Sequence, residues 1–341
     1  MEPSVTGRRA RGESPPGGSL LHWMTVAALA VASALPTPAG GQGTAPLLRK
    51  SRLHVVYSSS VFRTVSKNDA IAAMRVWVAT VGRQKGFDLE CSVEVIDGLA
   101  ELSRRVKEGP PGVVLLDAFE YFDLANLGLL VPTFVGSKGK GDDPVYYALL
   151  VSRDSGVETV ADLRGKTLVS YAGSRSDIGR KWLDALLHDS KLGVAEQFFR
   201  SVNSTSNPSA AVLPVFFGRE GAGVVDRNAF EVMKEMNPQL GSKLRILAVS
   251  PPLADGILCI DKRPIDYREE LLDGLKNLHQ DAAGRQILLV FKSNKLKPVD
   301  AEILDRLREL WVKQRLISEK RAARITAPRA ETADTLAGAK R

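Results

Sequence analysis

The chain has 341 residues, 44% of them apolar and 25% charged, with a formal net charge of +8. That length exceeds what one small core needs and suits two lobes of ordinary domain size, and the composition excludes a collagenous, mucin-like or disordered chain. No repeat of fixed period runs through it, which excludes a solenoid or a propeller.

The N-terminus reads as an export address. Arg8, Arg9 and Arg11 precede an apolar run from Leu20 to Leu35, and small residues and prolines then lead to Gln42. This order of basic, apolar and small segments predicts a removable secretory signal over residues 1–42. The run is short and carries His22, so a spanning helix fits it less well, since a bilayer core takes about 20 apolar residues. An uncleaved N-terminal anchor is the alternative. The Arg8–Arg9 pair invites a twin-arginine export route without deciding it, and no cysteine near Gln42 offers a lipid attachment point. No later apolar stretch approaches spanning length, so the mature chain is expected outside the cytoplasmic membrane as a soluble protein.

Beyond the signal, β-rich runs at 52–57, 89–96, 112–117, 166–171, 221–226 and 243–249 alternate with helical patterns near 68–84, 98–107, 176–188, 208–217 and 227–236. This alternation predicts an α/β fold of βαβ units, with mainly parallel sheets flanked by helices. Two β-rich runs, 144–153 and 254–262, lack the flanking helix pattern and read as two crossover strands between lobes. Residues 153–253 are then a second lobe inserted into a first lobe made of 50–150 plus 262–318, which includes a strong helix expected over 299–317. Two lobes consecutive in sequence are the alternative. Residues 319–341 are rich in Lys, Arg, Ala and Thr and read as a disordered tail. Its charge is diluted by Glu319, Glu331 and Asp334 and no aromatics interleave, so no nucleic-acid partner is expected.

In open α/β sheets ligands bind beyond the carboxyl ends of the strands, where loops lead into helices. Ser58, Ser59 and Ser60 follow the first strand, with Ser66 and Asn68 just before a helix. Ser174, Arg175 and Ser176 follow the strand at 166–171 and open another helix. Hydroxyls and free backbone N–H groups at a helix start suit a phosphate-like anion, and a guanidinium adds paired bonds to an oxyanion. The same residue types are the preferred helix caps. Either loop alone reads as a cap, and two such loops in corresponding positions bring the ligand reading level with it. A polar loop at 203–209 contains Asn207, followed by Pro208 at a first helical position. Asp117 and Asp226 each end a strand; Asp117 reads as a cap, and Asp226 stands between cap and ligand contact. Of the adjacent Tyr146 and Tyr147, one is expected to line the cleft, assigned to Tyr146, and the other to pack in the core.

Catalytic patterns are missing: there is no GxSxG, HExxH, P-loop or dinucleotide GxGxxG motif, and His54, His188 and His279 have no evident partner motif. The 2 cysteines and 4 histidines have no zinc-ligand spacing. No catalytic residue, metal or cofactor is therefore expected. Cys91 and Cys259 lie in strand-like segments, where a disulfide and two buried thiols are both open.

The stretch TVADLRGKTLVSYAGSRSDIGRKWL (159–183) resembles the DLRGK-strand-GS segment of the phosphate/phosphite/phosphonate-binding proteins of ABC importers. The stretch AVLPVFFGREGAGVVDRNAFEVMKEMNPQLGSKLRILAVSPPL (211–253) is similar to one branch of that family. The resemblance implies a two-lobed type 2 periplasmic-binding fold whose lobes are joined by two crossover strands. It also implies a periplasmic location, a small anionic ligand such as phosphate, phosphite or phosphonate, and a membrane permease of an ABC transporter as partner. A ligand sensor on the same fold, coupled to a membrane signalling partner, is the alternative function. Carried over by position, the oxyanion site falls on Ser174–Ser176 and the serines after the first strand. The chain departs from the family twice. Where relatives often have Ala-Asp-Ala after the glycine matching Gly218, it has Glu220-Gly221-Ala222; where phosphonate binders place a histidine, it has Asn207-Pro208.

Overall fold

A computed structural model describes residues 47–62, 65–109, 112–139, 143–173 and 176–326. The expected signal over 1–42 and the residues Ser174 and Arg175 lie outside them. In chain order the first lobe opens with β1 (Arg49–Ser58), α1 (Lys67–Gln84), β2 (Phe87–Ile96), α2 (Leu99–Glu108), β3 (Val113–Asp117), α3 (Ala118–Leu124) and β4 (Leu130–Gly136). The second follows with β5 (Tyr147–Ser152), β6 (Thr167–Tyr171), α4 (Ile178–Asp189), α5 (Ala195–Phe198), β7 (Ser201–Thr205), α6 (Pro208–Phe216), β8 (Ala222–Asp226), α7 (Arg227–Met236), α8 (Gln239–Lys243) and β9 (Leu244–Val249). The chain returns through β10 (Gly256–Asp261), α9 (Arg268–Lys276), α10 (Ala282–Val290), β11 (Leu296–Pro298) and α11 (Ala301–Thr326).

Two sheets result, ordered β11-β4-β10-β3-β1-β2 and β7-β6-β8-β5-β9. In the first, β1 to β4 all point one way, and β10 is threaded in reverse between β3 and β4. In the second, β6 to β9 point one way and β5 is threaded in reverse between β8 and β9. β5 and β10 are each the first strand laid down after the chain crosses between sheets, and the short edge strand β11 also runs against β4. β5 and β8 are buried along nearly their whole length, which is why their sequences read as unbroken apolar runs. The two connections meet side by side: Val145 and Leu253 exchange backbone hydrogen bonds of 3.1 and 2.9 Å, and the Ser250 hydroxyl accepts from the Tyr147 N–H at 2.9 Å.

Two strands escape the hydrophobic pattern. β7 is built from Ser201-Val202-Asn203-Ser204-Thr205, so the first half of the polar loop expected over 203–209 is a strand. It sits at a sheet edge, where parallel backbone pairing with β6 needs no apolar side chains. β4 carries Pro132 opposite Cys259, next to an irregularity in the β10 register, a position where proline's missing N–H is tolerated.

The C-terminal helix also differs from expectation. α11 runs to Thr326, so the tail expected to be disordered from residue 319 is helical at its start. The segment is made of strong helix formers, and the first proline after it is Pro328. α11 touches both lobes: the Trp311 indole N–H donates to Asp123 at 2.9 Å, and Gln314 donates to the Lys181 carbonyl at 2.9 Å. Cys91 on β2 and Cys259 on β10 are free thiols. Two strands lie between them, roughly 14 Å of sheet, well beyond disulfide reach.

Candidate functional site

The carboxyl ends of β1, β3, β6 and β8 converge on the two connections. Asp117 and Asp226 end β3 and β8 and cap the helices that follow. Asp117 accepts from Phe119 N at 2.9 Å, and Asp226 from Asn228 N at 2.9 Å and Ala229 N at 3.3 Å. The partners opposite them are the first residues of the reversed strands, Gly256 and Tyr147. Cap and cleft edge are therefore one place, and the choice between cap and ligand contact framed for Asp226 is not exclusive.

On the first-lobe side, Ser58 is fully buried and Ser60 nearly so. Their hydroxyls lie 2.8 Å apart, and both donate to Glu120 Oε1, Ser58 at 2.8 Å. The other carboxylate oxygen of Glu120 accepts from Asp117 N at 3.1 Å, closing a capping box on α3. The open hydroxyls expected after the first strand are thus already held by a carboxylate. The cause is the helix: Glu120 is its third residue, where it reaches back to the cap. Ser59 instead donates to Asp97.

On the second-lobe side, Ser176 turns its backbone N–H (3.4 Å) and its hydroxyl toward the Asp117 carboxylate across the cleft. Asp177 follows with a left-handed φ of 49° and caps α4, accepting from Arg180 N at 3.3 Å. Aspartate tolerates that conformation better than most residues, and such strain concentrates at functional sites. One turn along, Lys181 stands over the Phe119 ring at 4.2 Å. Burial lowers its pKa, and the carboxylates of Asp117 and Asp177 work against that shift.

The floor is made by the connections. Lys138 Nζ lies 3.2 Å from both Asp226 Oδ2 and Asp255 Oδ2. Burial alone would lower its pKa, but Asp255 and Asp226 outweigh it and hold the ammonium well above the ordinary lysine range. The Tyr147 hydroxyl donates to the other oxygen of Asp255, and burial followed by that carboxylate pushes its own pKa up. Gly179 on α4 gives the Tyr147 ring its room, since a Cβ there would stand inside van der Waals contact with it. Tyr146 is half-buried with Arg227 6.0 Å from its ring, and its carbonyl accepts from Arg227 N at 2.8 Å. Asn207 caps α6, accepting from Ser209 N at 2.9 Å.

The fold therefore gathers Ser58, Ser60, Ser176 and Asp226 around the cleft, together with residues that sequence reasoning missed: Glu120, Lys138 and Asp255. Lys138 falls in a polar stretch and Asp255 in a turn, and neither pattern distinguishes them from surface charges. Among the described residues no group of His, Cys, Asp and Glu could hold a metal ion, and no helix is long and apolar enough to cross a membrane. What the arrangement offers is donors at a helix start, the partly buried cations Lys138 and Lys181, and several carboxylates between two lobes, which is equipment for holding a solute.

A family model described as the periplasmic substrate-binding protein of an ABC phosphonate transporter matches residues 60–304. Among solved structures, XAC2383 from Xanthomonas citri bound to ATP aligns with a TM-score of 0.57 at 17% identity, covering 79% of this chain and 99% of that one. A binding protein component of an ABC phosphonate transporter (PA3383) from Pseudomonas aeruginosa aligns at 0.51 and 13% identity, covering 81% and 93%. PhnD1 from Prochlorococcus marinus in complex with methylphosphonate aligns at 0.51 and 15% identity, covering 77% and 98%. At these identities the structural likeness speaks for the fold alone, the two-lobed type 2 periplasmic-binding architecture. No curated protein matches the chain.

Proposed function

This chain belongs to the family of periplasmic substrate-binding proteins of ABC phosphonate transporters, and from that premise we propose that it is an exported, non-catalytic receptor for a small oxyanion such as phosphate, phosphite or a phosphonate. It hands that anion to a membrane permease. The lobe built on β1–β4, β10 and β11 and the lobe built on β5–β9 close on the ligand by bending at the Val145–Leu253 pairing.

The observation that carries this reading is the contact between Ser176 and Asp117. A backbone N–H and a hydroxyl at the start of α4 already hold a carboxylate, so the donors are arranged for an oxyanion, and the positive end of the helix dipole favours one there. The ligand takes that place from Asp117, with Ser174 and Arg175 adding donors from the same loop. Asp226 acts by holding Lys138 at the floor, and Tyr146 and Asn207 are taken to add contacts from the second lobe.

Titration calorimetry with phosphate, phosphite and methylphosphonate tests the proposal. One of them is expected to bind, and Ser176→Ala to weaken it about tenfold, the worth of one hydrogen bond to a charged group. Absence of heat with all three anions would sink the oxyanion reading.

A further inference from the structure

Below the floor, the face of the first sheet covered by α1, α9 and α10 leaves a pocket of about 150 Å³. Its body is apolar, with walls from Met74, Leu115, Leu258, Leu278 and Ile287. Its mouth is polar and belongs to the cleft: Lys138 and Asp255 from the floor, and Gly173 from the loop that carries Ser176. Apolar cavities of about this volume accept a benzene ring.

Tyr57, at the end of β1, is part of the wall and only 1% exposed, yet its hydroxyl has no hydrogen-bond partner among the described residues. Burial pushes its pKa up, so the group stays a protonated donor. A buried tyrosine hydroxyl usually finds a partner. The surrounding protein is aromatic: the Phe62 ring lies 5.5 Å from that of Tyr57 at 82°, and Phe291 lies 5.7 Å away. Tyr57 and Phe291 both line the pocket, so a ring that enters would meet two aromatic partners beyond its area burial.

We propose that this pocket takes a single aromatic ring attached to the bound oxyanion, so that the ligand class is aryl-substituted phosphonates or phosphoesters. The acid group sits at the Ser176 loop and the ring descends past Lys138 and Gly173 to Tyr57, whose hydroxyl donates to the ring face or to an acceptor on it. This rests on the oxyanion reading above and extends it to the organic half of the ligand.

Calorimetry on the full chain with methylphosphonate, phenylphosphonate and benzylphosphonate tests it. At least one aryl probe is expected to bind tenfold or more tighter than methylphosphonate, as burial of a ring requires. Val61→Trp and Leu296→Phe, at two half-buried wall positions, are expected to bring the aryl-to-methyl ratio close to one while the melting temperature holds. Equal or weaker binding of both aryl probes, or a ratio unmoved by both substitutions, overturns the ring pocket and leaves the oxyanion site standing. No binding of any of the three probes overturns both.

Discussion

Asp117 at the end of β3 and Ser176 at the start of α4 face each other across the cleft, and the carboxylate of one takes both the N–H (3.4 Å) and the hydroxyl of the other. The same carboxylate caps α3 through Phe119 N at 2.9 Å. One side chain therefore ends a strand, starts a helix in its own lobe and holds the helix start of the other. On the proposed reading, an anion that enters the cleft would compete with it for the donors of Ser176.

Replacing Asp117 by Asn separates these roles. Asparagine remains a good cap, so stability is expected to fall by no more than about 1 kcal/mol. The negative charge at the proposed anion site is gone; Asp117 is fully buried, and one unit charge a few ångströms away is worth about 1 kcal/mol or more. Oxyanion affinity is expected to rise roughly tenfold, with the gain shrinking as salt is added. Calorimetry at low and high ionic strength checks it, and an affinity that falls in Asp117→Asn would show that the carboxylate helps rather than competes.

Lys138 is the countercharge of two carboxylates. Its side chain is 22% exposed, that of Asp255 also 22% and that of Asp226 6%, so Lys138→Met leaves two poorly solvated anions facing each other. Breaking such a partly buried pair is expected to cost about 3 kcal/mol, and adding Asp255→Asn to recover part of it. The lysine pKa is raised on folding, chiefly against burial and by Asp255 and Asp226. Its contribution is therefore full below the ordinary lysine value of about 10.4 and is lost as pH rises past the raised value. Urea unfolding of the single and double variants at neutral pH measures the effect.

The sequence carries the fold where burial is two-sided or strictly periodic. The apolar run 112–117 becomes β3, 221–226 becomes β8, and the helix over 227–236 is found with those bounds. The oddness of 144–153 and 254–262 comes from the two strands threaded backwards, β5 and β10. β7 has nothing in its side chains to announce it, because edge pairing is a backbone matter. The site divides the same way. Serines at helix starts are visible as a local pattern, but that Glu120 holds Ser58 and Ser60 depends on how α3 packs on the end of β1. Lys138 and Asp255, 117 positions apart in sequence, meet only because the connections lie side by side.

Gly179 offers a test of the Tyr147–Asp255 contact from behind. In isolation, alanine would favour α4 by about 1 kcal/mol over glycine. Here the new methyl meets the buried Tyr147 ring, and overpacking of that kind costs about 1–3 kcal/mol. Gly179→Ala is expected to lower the melting temperature on balance and to move the Tyr147 hydroxyl off Asp255. Pairing it with Tyr147→Leu is expected to restore the stability lost through overpacking, so a double variant no more stable than Tyr147→Leu without the helix gain would place the strain elsewhere.

His54 on β1 gives the fold a pH dependence away from the cleft. Its Nε2 lies 2.8 Å from an Arg105 guanidinium nitrogen. Arginine has only donors, so Nε2 must be the accepting, unprotonated nitrogen, and Nδ1 carries the proton toward Ser92. Protonating the ring would place two cations in contact, although Glu94, 3.5 Å from Nε2, offsets part of this. Burial first, and then Arg105, lowers the histidine pKa below its ordinary 6.5, against the pull of Glu94. The unfolded chain then takes up a proton at a higher pH than the folded one. Stability from this residue is full above about pH 6.5 and falls as pH drops from there toward the lowered folded value, below which it levels off. The expected result is that the native protein loses more stability between pH 7.5 and pH 5.5 than His54→Gln does, measured by urea unfolding at both values. A histidine resonance of His54 that titrates at or above 6.5 in the folded protein would contradict the unprotonated contact with Arg105.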